Sequence, residues 1–416
     1  MSDEALRQAA LAYHAMPRPG KIGTHVFKPA ESSRDLALAY SPGVAEPVLA
    51  IAADPEAAYE YTNKGNLIGI VTDGSAILGL GNLGALASKP VMEGKALLFK
   101  RFADLDCVDI EINAETAESF IDTVARIADS FGGINIEDVG APQCFAIEEA
   151  LRARCKVPVF HDDQHGTAIC VVAGLLNALE LQGKRLNEAK IVCLGSGAAG
   201  TATLRLLRSM GVPVANMTAV DRQGVIHAGR ENLPDYKAEF ANESRHRTLA
   251  DALRGADVFI GVSAAGLLDA ELLRSMAPRP VIFALANPEP EVRPSAARAI
   301  RDDVIVATGR SDFPNQVNNV LCFPFIFRGA LDVRAHAITD EMKIAAAHAI
   351  ANLTKEAVPE EVIKAYPDVT GLTFGPEYIL PKPMDPRLRE VVASAVAKAA
   401  IASGVAGKAY PSHYLK

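Results

Sequence analysis

Hydrophobic and polar positions along this chain follow two rhythms. From about residue 66, short and nearly continuous apolar runs recur, of the kind buried on both faces of a parallel sheet. They are NLIGIVTDG, VDIEI, INIED, VPVFHDD, AKIVCLG, MTAVD, DVFIGV, PVIFALAN and VIVATGR. Helix-period stretches separate most of them, among them residues near 90–101 and over 115–130. This alternation predicts parallel sheets covered by helices on both faces. Upstream, residues 2–16 predict a short helix ended by Pro17, Pro19 and Gly20, followed by an irregular stretch that includes LALAYSPGVAEP at 36–47. Beyond residue 330 the strands stop, and Ala-rich segments at 339–352 and 387–402 predict helices on either side of FGPEYILPKPMDP. One strand ends near 163, and a long helix starting at Gly166 leads into a self-contained nucleotide-type unit. The expected fold class is α/β, with an N-terminal α/β catalytic domain over 1–163. A Rossmann-type, doubly wound dinucleotide-binding domain is expected over 164–416, its C-terminal helices packing back over the joint.

Composition narrows the function classes. With 416 residues, 49% hydrophobic and 22% charged, the chain has ample core for two or three domains and no compositional case for disorder. A net charge of −8 argues against nucleic acid or an anionic membrane as partner. The six cysteines are scattered with no CxxC pair, which fits reduced thiols in a cytoplasmic protein better than a disulfide framework or a thiolate–metal cluster. The N-terminus lacks a basic head and an apolar core, so no secretory signal is expected. The most apolar long segment, AICVVAGLLNALEL, is interrupted by Asn177 and Glu180 before it could span a bilayer.

Gly-x-Gly-x-x-Gly occurs twice, as GLGNLG (79–84) and GSGAAG (195–200). Dinucleotide binding needs a strand, a tight glycine turn and a helix N-terminus whose amides face the pyrophosphate. The second copy has all three: the strand AKIVCL, the loop of Gly195, Ser196, Gly197, Ala198, Ala199 and Gly200, and an amphipathic helix closed by Gly211. MTAVD then ends in Asp221, at the distance expected of a ribose-binding acid. In the first copy Pro90 follows closely and is expected to break any helix begun at Gly84, which leaves a substrate-side loop.

Acidic pairs end two strands, Glu137 with Asp138 and Asp162 with Asp163. Such pairs on neighbouring strands repel unless a divalent cation lies between them, and an all-oxygen set suits Mg2+ or Mn2+. Helix capping is the alternative for Asp162 or Asp163 taken alone. His161 and His165 have no third soft ligand nearby and read as structural. Lys95 lies on the largely apolar side of a helix; it is either a desolvated lysine of lowered pKa, suited to general-base work, or a snorkelling surface residue. Tyr40 lies in a Gly- and Pro-flanked segment able to present it to a cleft. Asn287, Asn318 and Asn319 are amides on predicted loops near strand ends, able to hold a carboxylate or a carboxamide, or simply turn residues.

Taken together, LALAYSPGVAEP, GLGNLGALASKPVMEGKALLFK, GGINIEDVGAP, VFHDDQHGTA, ALANPEPE and GRSDFPNQVNNVLCFPFIFRGALD resemble the malic enzyme family. More narrowly they resemble its small-subunit bacterial type, often fused to a phosphotransacetylase-like domain, which is not expected within these 416 residues. The resemblance implies oxidative decarboxylation of (S)-malate to pyruvate and CO2 with reduction of NADP+ or NAD+. It implies Lys95 as general base, Tyr40 as general acid, and Mg2+ or Mn2+ on Glu137, Asp138 and Asp163, with Asp162 beside it. It also implies coenzyme contacts at the GSGAAG loop and Asn287, substrate contacts at Asp162, Asn287, Asn318 and Asn319, and a homodimer or a multiple of one. The apolar face of the first helix, with Leu6, Ala9, Ala10 and Tyr13, offers cover for such an assembly. Large-subunit members carry an arginine where Ala76 stands, so the substrate carboxylate needs another holder. Asp221 favours NAD+, whereas neutralisation of that acid by Arg222, with Arg230 and Lys237 downstream, would admit the 2′-phosphate of NADP+, the expected coenzyme. Competing readings are a malolactic-type converter, an oxaloacetate decarboxylase, and a non-catalytic metabolite sensor of the same fold.

Overall fold

The computed structural model describes residues 3–77, 79–367, 369 and 371–415. Four helices precede the first strand: α1 (Asp3–Ala15), α2 (Ser33–Ala39), α3 (Ala45–Ala53) and α4 (Ala58–Tyr61). Then β1 (Leu67–Thr72), α5 (Ala85–Ala103), β2 (Asp106–Glu111), α6 (Ala117–Ile127), β3 (Gly133–Ile136), α7 (Gln143–Arg154) and β4 (Val159–His161) build a four-stranded sheet of order β2-β1-β3-β4, parallel throughout. The helix α8 (Asp162–Leu181) leads into the second sheet.

That sheet contains β5 (Ile191–Leu194), α9 (Ala198–Ser209), β6 (Met217–Asp221), the two-residue β7 (Gly224–Val225), α10 (Asp235–Ala238) and α11 (Leu249–Leu253). It continues with β8 (Val258–Gly261), α12 (Ala270–Ser275), β9 (Val281–Ala284), α13 (Pro294–Ile300) and β10 (Ile305–Thr308). Its order is β10-β9-β8-β5-β6-β7, parallel except for the β6–β7 hairpin. The chain closes with α14 (Phe323–Asp332), α15 (Asp340–Leu353), α16 (Glu360–Ala365) and α17 (Arg387–Ala402). The apolar runs of β1, β5 and β8 are buried almost throughout, as strands covered on both faces must be. At the edge of its sheet, β2 instead has no buried residue and leaves Val108 44% exposed. One core joins the halves: Phe99 of α5 meets Phe323 and Phe327 of α14 edge-on at 4.8 and 5.5 Å, and α8, α15 and α17 pack in the same cluster.

Three expectations change. Pro90 does not break the helix after GLGNLG; α5 begins at Ala85 and runs through it. The proline costs one backbone bond, to the carbonyl of Leu86, on a residue 81% exposed where water can serve instead. The long helix begins at Asp162, not Gly166, because His161 caps it, Nδ1 accepting the Gln164 N–H at 3.3 Å. It therefore runs continuously across the position where a domain boundary was expected. The stretch around Tyr40 is also less irregular than expected. A Ser32–Asp35 capping box starts α2, and Tyr40 is its C-terminal cap.

Candidate active site

In open α/β sheets ligands collect where the strand order reverses. That point lies between β1 and β3 in the first sheet and between β5 and β8 in the second. Residues following all four strands, Ala76, Asp138, Ala198 and Val262, line one cleft of about 740 Å³, together with Asp163 and Asn287.

At its base lies a buried ion cluster. Lys95, 7% exposed on α5, places Nζ 2.8 Å from Glu137 Oε1 and 2.7 Å from Asp162 Oδ2, over the Phe323 ring at 4.2 Å. Asn135 donates to Glu137 Oε2 at 2.9 Å, and the Asn319 amide donates to Asp162. The second Asp162 oxygen has no hydrogen-bond partner and lies against Gly166, where a Cβ would come within 1.9 Å of it. The residue after HDDQH must therefore lack a side chain. Burial alone would depress the Lys95 amine, but Asp162 and Glu137 outweigh it and raise its pKa above the usual lysine value. The direction is opposite to that expected of a lysine beside a cation, because two carboxylates lie at hydrogen-bond distance from the amine. Burial pushes Asp162 up to about 6 and also raises Glu137.

Beside this cluster, Glu137, Asp138 and Asp163 each bring a carboxylate oxygen within 4.8 Å of the others. Asp138 adopts a left-handed backbone (φ 53°), uncommon for a non-glycine residue. In that conformation its N–H donates to Asp163 Oδ2 at 2.8 Å while its carbonyl accepts from Ala76 N–H at 2.9 Å. Three hard oxygen donors at this spacing fit Mg2+ or Mn2+. The histidines are engaged elsewhere. His161 Nε2 lies 3.2 Å from the Val139 carbonyl, and His165 Nε2 lies 2.8 and 2.9 Å from the Glu148 oxygens. Burial pushes His165 down to about 4 and leaves it neutral.

Across the cleft, the GSGAAG loop shows a separate reason for each glycine. Gly195 has φ 108° and approaches the Val262 carbonyl, where a Cβ would come within 2.7 Å. Gly197 faces open space, leaving the backbone free for a pyrophosphate. Gly200 packs against the Gly195 carbonyl, 1.9 Å from where its Cβ would stand. At the end of β6, Asp221 is held by Arg230, whose Nη1 and Nη2 lie 3.0 and 3.1 Å from its two oxygens, and by Lys237 at 2.7 Å. Burial would raise this carboxyl, but those two bonds outweigh it and bring it down to about 2. Arg222 was the expected partner; it is exposed and pairs with no acid among the described residues.

Of the other expected residues, Asn287, Asn318 and Asn319 all line the cleft, with Asn318 Oδ1 also accepting from Val320 N–H at 3.0 Å. Tyr40 does not reach it; it is 76% exposed in a segment where no described residue before Ile68 is buried. Sequence reasoning missed Asn135, whose i, i+2 spacing from Glu137 at the end of one strand was the available signal. It also missed Glu291, fully buried, which accepts Ser263 and Ala286 N–H groups at 3.0 and 3.1 Å and so ties the ends of β8 and β9.

A dinucleotide fold facing a carboxylate–lysine cleft defines a two-domain α/β, nucleotide-dependent enzyme class. Within that class, the chain belongs to the malic enzyme family. The family model for the malic enzyme NAD binding domain matches residues 164–373, and that for the malic enzyme N-terminal domain matches 19–119. The chain is 61% identical over 411 residues to an NADP-dependent malic enzyme of Halomonas elongata, covering 99% of this chain and 97% of that one. It is 57% identical to an NADP-dependent malic enzyme of Rhizobium meliloti, covering 96% of this chain but 53% of that relative, so it spans about half its length. Among solved structures, the malic enzyme from Pyrococcus horikoshii superposes with a TM-score of 0.90 at 44% identity, over 99% of this chain and 94% of that one. Among the described residues no helix is long and apolar enough to cross a membrane.

Proposed function

We infer that this chain oxidatively decarboxylates (S)-malate to pyruvate and CO2 with NADP+ as hydride acceptor and a divalent cation. The observation that carries this reading is Lys95, buried between Glu137 and Asp162 beside a three-carboxylate set in the cleft that the nucleotide loop closes.

In this reading Glu137, Asp138 and Asp163 hold the cation and the loop from Gly195 to Gly200 holds the coenzyme. When bound, these supply charge for the enolate left as CO2 departs and an acceptor for the hydride. Lys95 takes the C2 hydroxyl proton once the charge of Glu137 and Asp162 is engaged elsewhere, as by a cation. Asp162 and Asn135 keep the amine and Glu137 in register. Among the described residues the cleft wall carries no arginine or lysine, so Asn287, Asn318 and Asn319 hold the far carboxylate in place of the arginine absent at position 76. Arg230 and Lys237, not Arg222, receive the 2′-phosphate; Asp221 presets them as their counter-ion and does not repel the phosphate alone.

Tyr40 protonates the enolate at C3 from a second copy of the chain, in a homodimer. It does not line the active cleft of its own chain, and the segment that carries it exposes Leu6, Tyr13, Leu36, Leu38, Val48 and Leu49. The test of function is coenzyme reduction at 340 nm with malate and Mn2+, NADP+ or NAD+, and separate quantification of pyruvate and lactate. Pyruvate matched one to one by NADPH is expected. Lactate without net reduction would instead indicate a malolactic converter, and no turnover with either coenzyme a sensor.

A further inference from the structure

On the far side of α8 from the active cleft lies a second cavity, of about 670 Å³, walled by α7, α9, Glu239 and the start of α15. The first turns of α8 show Asp163 and Thr167 to the active cleft but Gln164 and His165 to this cavity. Likewise α9 shows Ala198 and Ala199 to one and Arg205 and Arg208 to the other. Its volume is in the range of small-molecule sites.

Its acceptors are filled and its donors are not. Glu148, 6% exposed, accepts from His165, from the Gln164 amide at 3.1 Å and from His161 N–H at 3.3 Å. Glu239 takes Arg205 Nε at 2.7 Å and Arg208 at 2.9 Å, one carboxylate for two guanidiniums. Asp340 takes the Ser209 hydroxyl at 2.8 Å and Lys343 at 3.2 Å. Against these, Lys343 is 5% exposed and has three N–H donors, of which that contact uses one. Arg152 forms no ion pair among the described residues, and Arg205 and Arg208 keep donors beyond their shared carboxylate. Only Glu149, an exposed residue on α7, remains as an open acid. Four cationic side chains from three helices thus converge on one cavity, whose four acids include three, Glu148, Glu239 and Asp340, that are already engaged.

We propose that this cavity is a second ligand site, which takes a small metabolite bearing two oxyanion groups, carboxylate or phosphate, one on Lys343 and the other on Arg152 with Arg205 and Arg208. The test is titration calorimetry on the full chain with NADP+, Mn2+ and oxalate present to fill the active cleft, using glutarate and 3-phosphoglycerate as probes. One saturable site per chain is expected for at least one probe, weakened about tenfold or more by Arg152→Ala and by Lys343→Met. Binding of 3-phosphoglycerate alone would identify the phosphoryl group as the recognised element; binding of both would show that carboxylates suffice. Arg152 has no ion pair to lose on folding, so its variant decides the matter even if Lys343→Met does not fold. No saturable binding of either probe below about 10 mM, or binding indifferent to Arg152→Ala, would overturn the site.

Discussion

The two groups assigned to proton transfer lie in opposite surroundings. Lys95 is 7% exposed, with its ammonium fixed by two carboxylates and an aromatic face, on a helix packed into the main core. Tyr40 is 76% exposed, at the end of a seven-residue helix with no buried side chain. In the proposed mechanism one half of the chemistry is preorganised by burial within a single chain, where a low dielectric strengthens the two ion pairs that fix the ammonium. The other half, on that reading, rests on a segment without a buried side chain among its described residues, so that a second copy would set its position. On the proposed reading the site is complete in residues and incomplete in one copy.

The strongest way to break that contrast is to remove the preorganised half. Lys95→Ala is expected to cut kcat about 10³-fold or more, measured by NADPH formation, with folding checked by circular dichroism. Near-normal turnover would return the lysine to a structural role. Next in size, Asp138→Asn should lower turnover about 10²-fold and raise the Mn2+ activation constant 10- to 100-fold, while the coenzyme dissociation constant stays put. If exhaustive chelation leaves the wild type fully active, the carboxylate set has another purpose.

The contrast itself is sharpened by mixing two dead proteins. Equimolar Tyr40→Phe and Lys95→Ala chains, unfolded and refolded together, should regain about one quarter of wild-type activity if each tyrosine serves its partner's lysine, since half the dimers then hold one intact site of two. No recovery would put both groups in the same chain's site. A smaller effect is expected at the coenzyme end. Arg230→Ala should reduce kcat/KM for NADP+ about tenfold while NAD+ use changes little, and Arg222→Ala should leave the ratio of the two unchanged.

The smallest effect concerns acid. Burial holds His165 at about 4 in the folded chain against 6.5 when free, so unfolding takes up a proton between those values. That contribution is fully present above pH 6.5 and is lost as pH falls towards 4. The melting temperature should therefore decline over that window by several degrees, and less steeply in His165→Gln.

All nine predicted strands are present, because apolar runs of three to six residues bounded by Gly, Pro and Asp have few other solutions in a chain of this length. The two-residue β7 was too short to carry a pattern, and α14 was hidden by its aromatic, Pro-containing opening FPF. Helix starts at Ala85 and Asp162 escaped notice because a proline and a histidine cap break the usual residue preferences only mildly. Within the site, the strand-end acids and the glycine loop were legible, since both depend on residue type at a fixed distance from a strand. The partners of Lys95 and Asp221 were not.

What the sequence determined by itself was therefore everything with a short period: alternation of strands and helices, the separate steric need at Gly195, Gly197 and Gly200, and acids at the carboxyl ends of β3 and β4. Those follow from local sterics and from the two-sided burial of parallel strands. Only the tertiary structure decided which charges meet. Lys95 joins Asp162 across 67 positions and Asp221 prefers Arg230 to its own neighbour Arg222, while Tyr40 is left outside. Ion pairing depends on distance in space and on the dielectric around it, and neither is written at any one position of the chain.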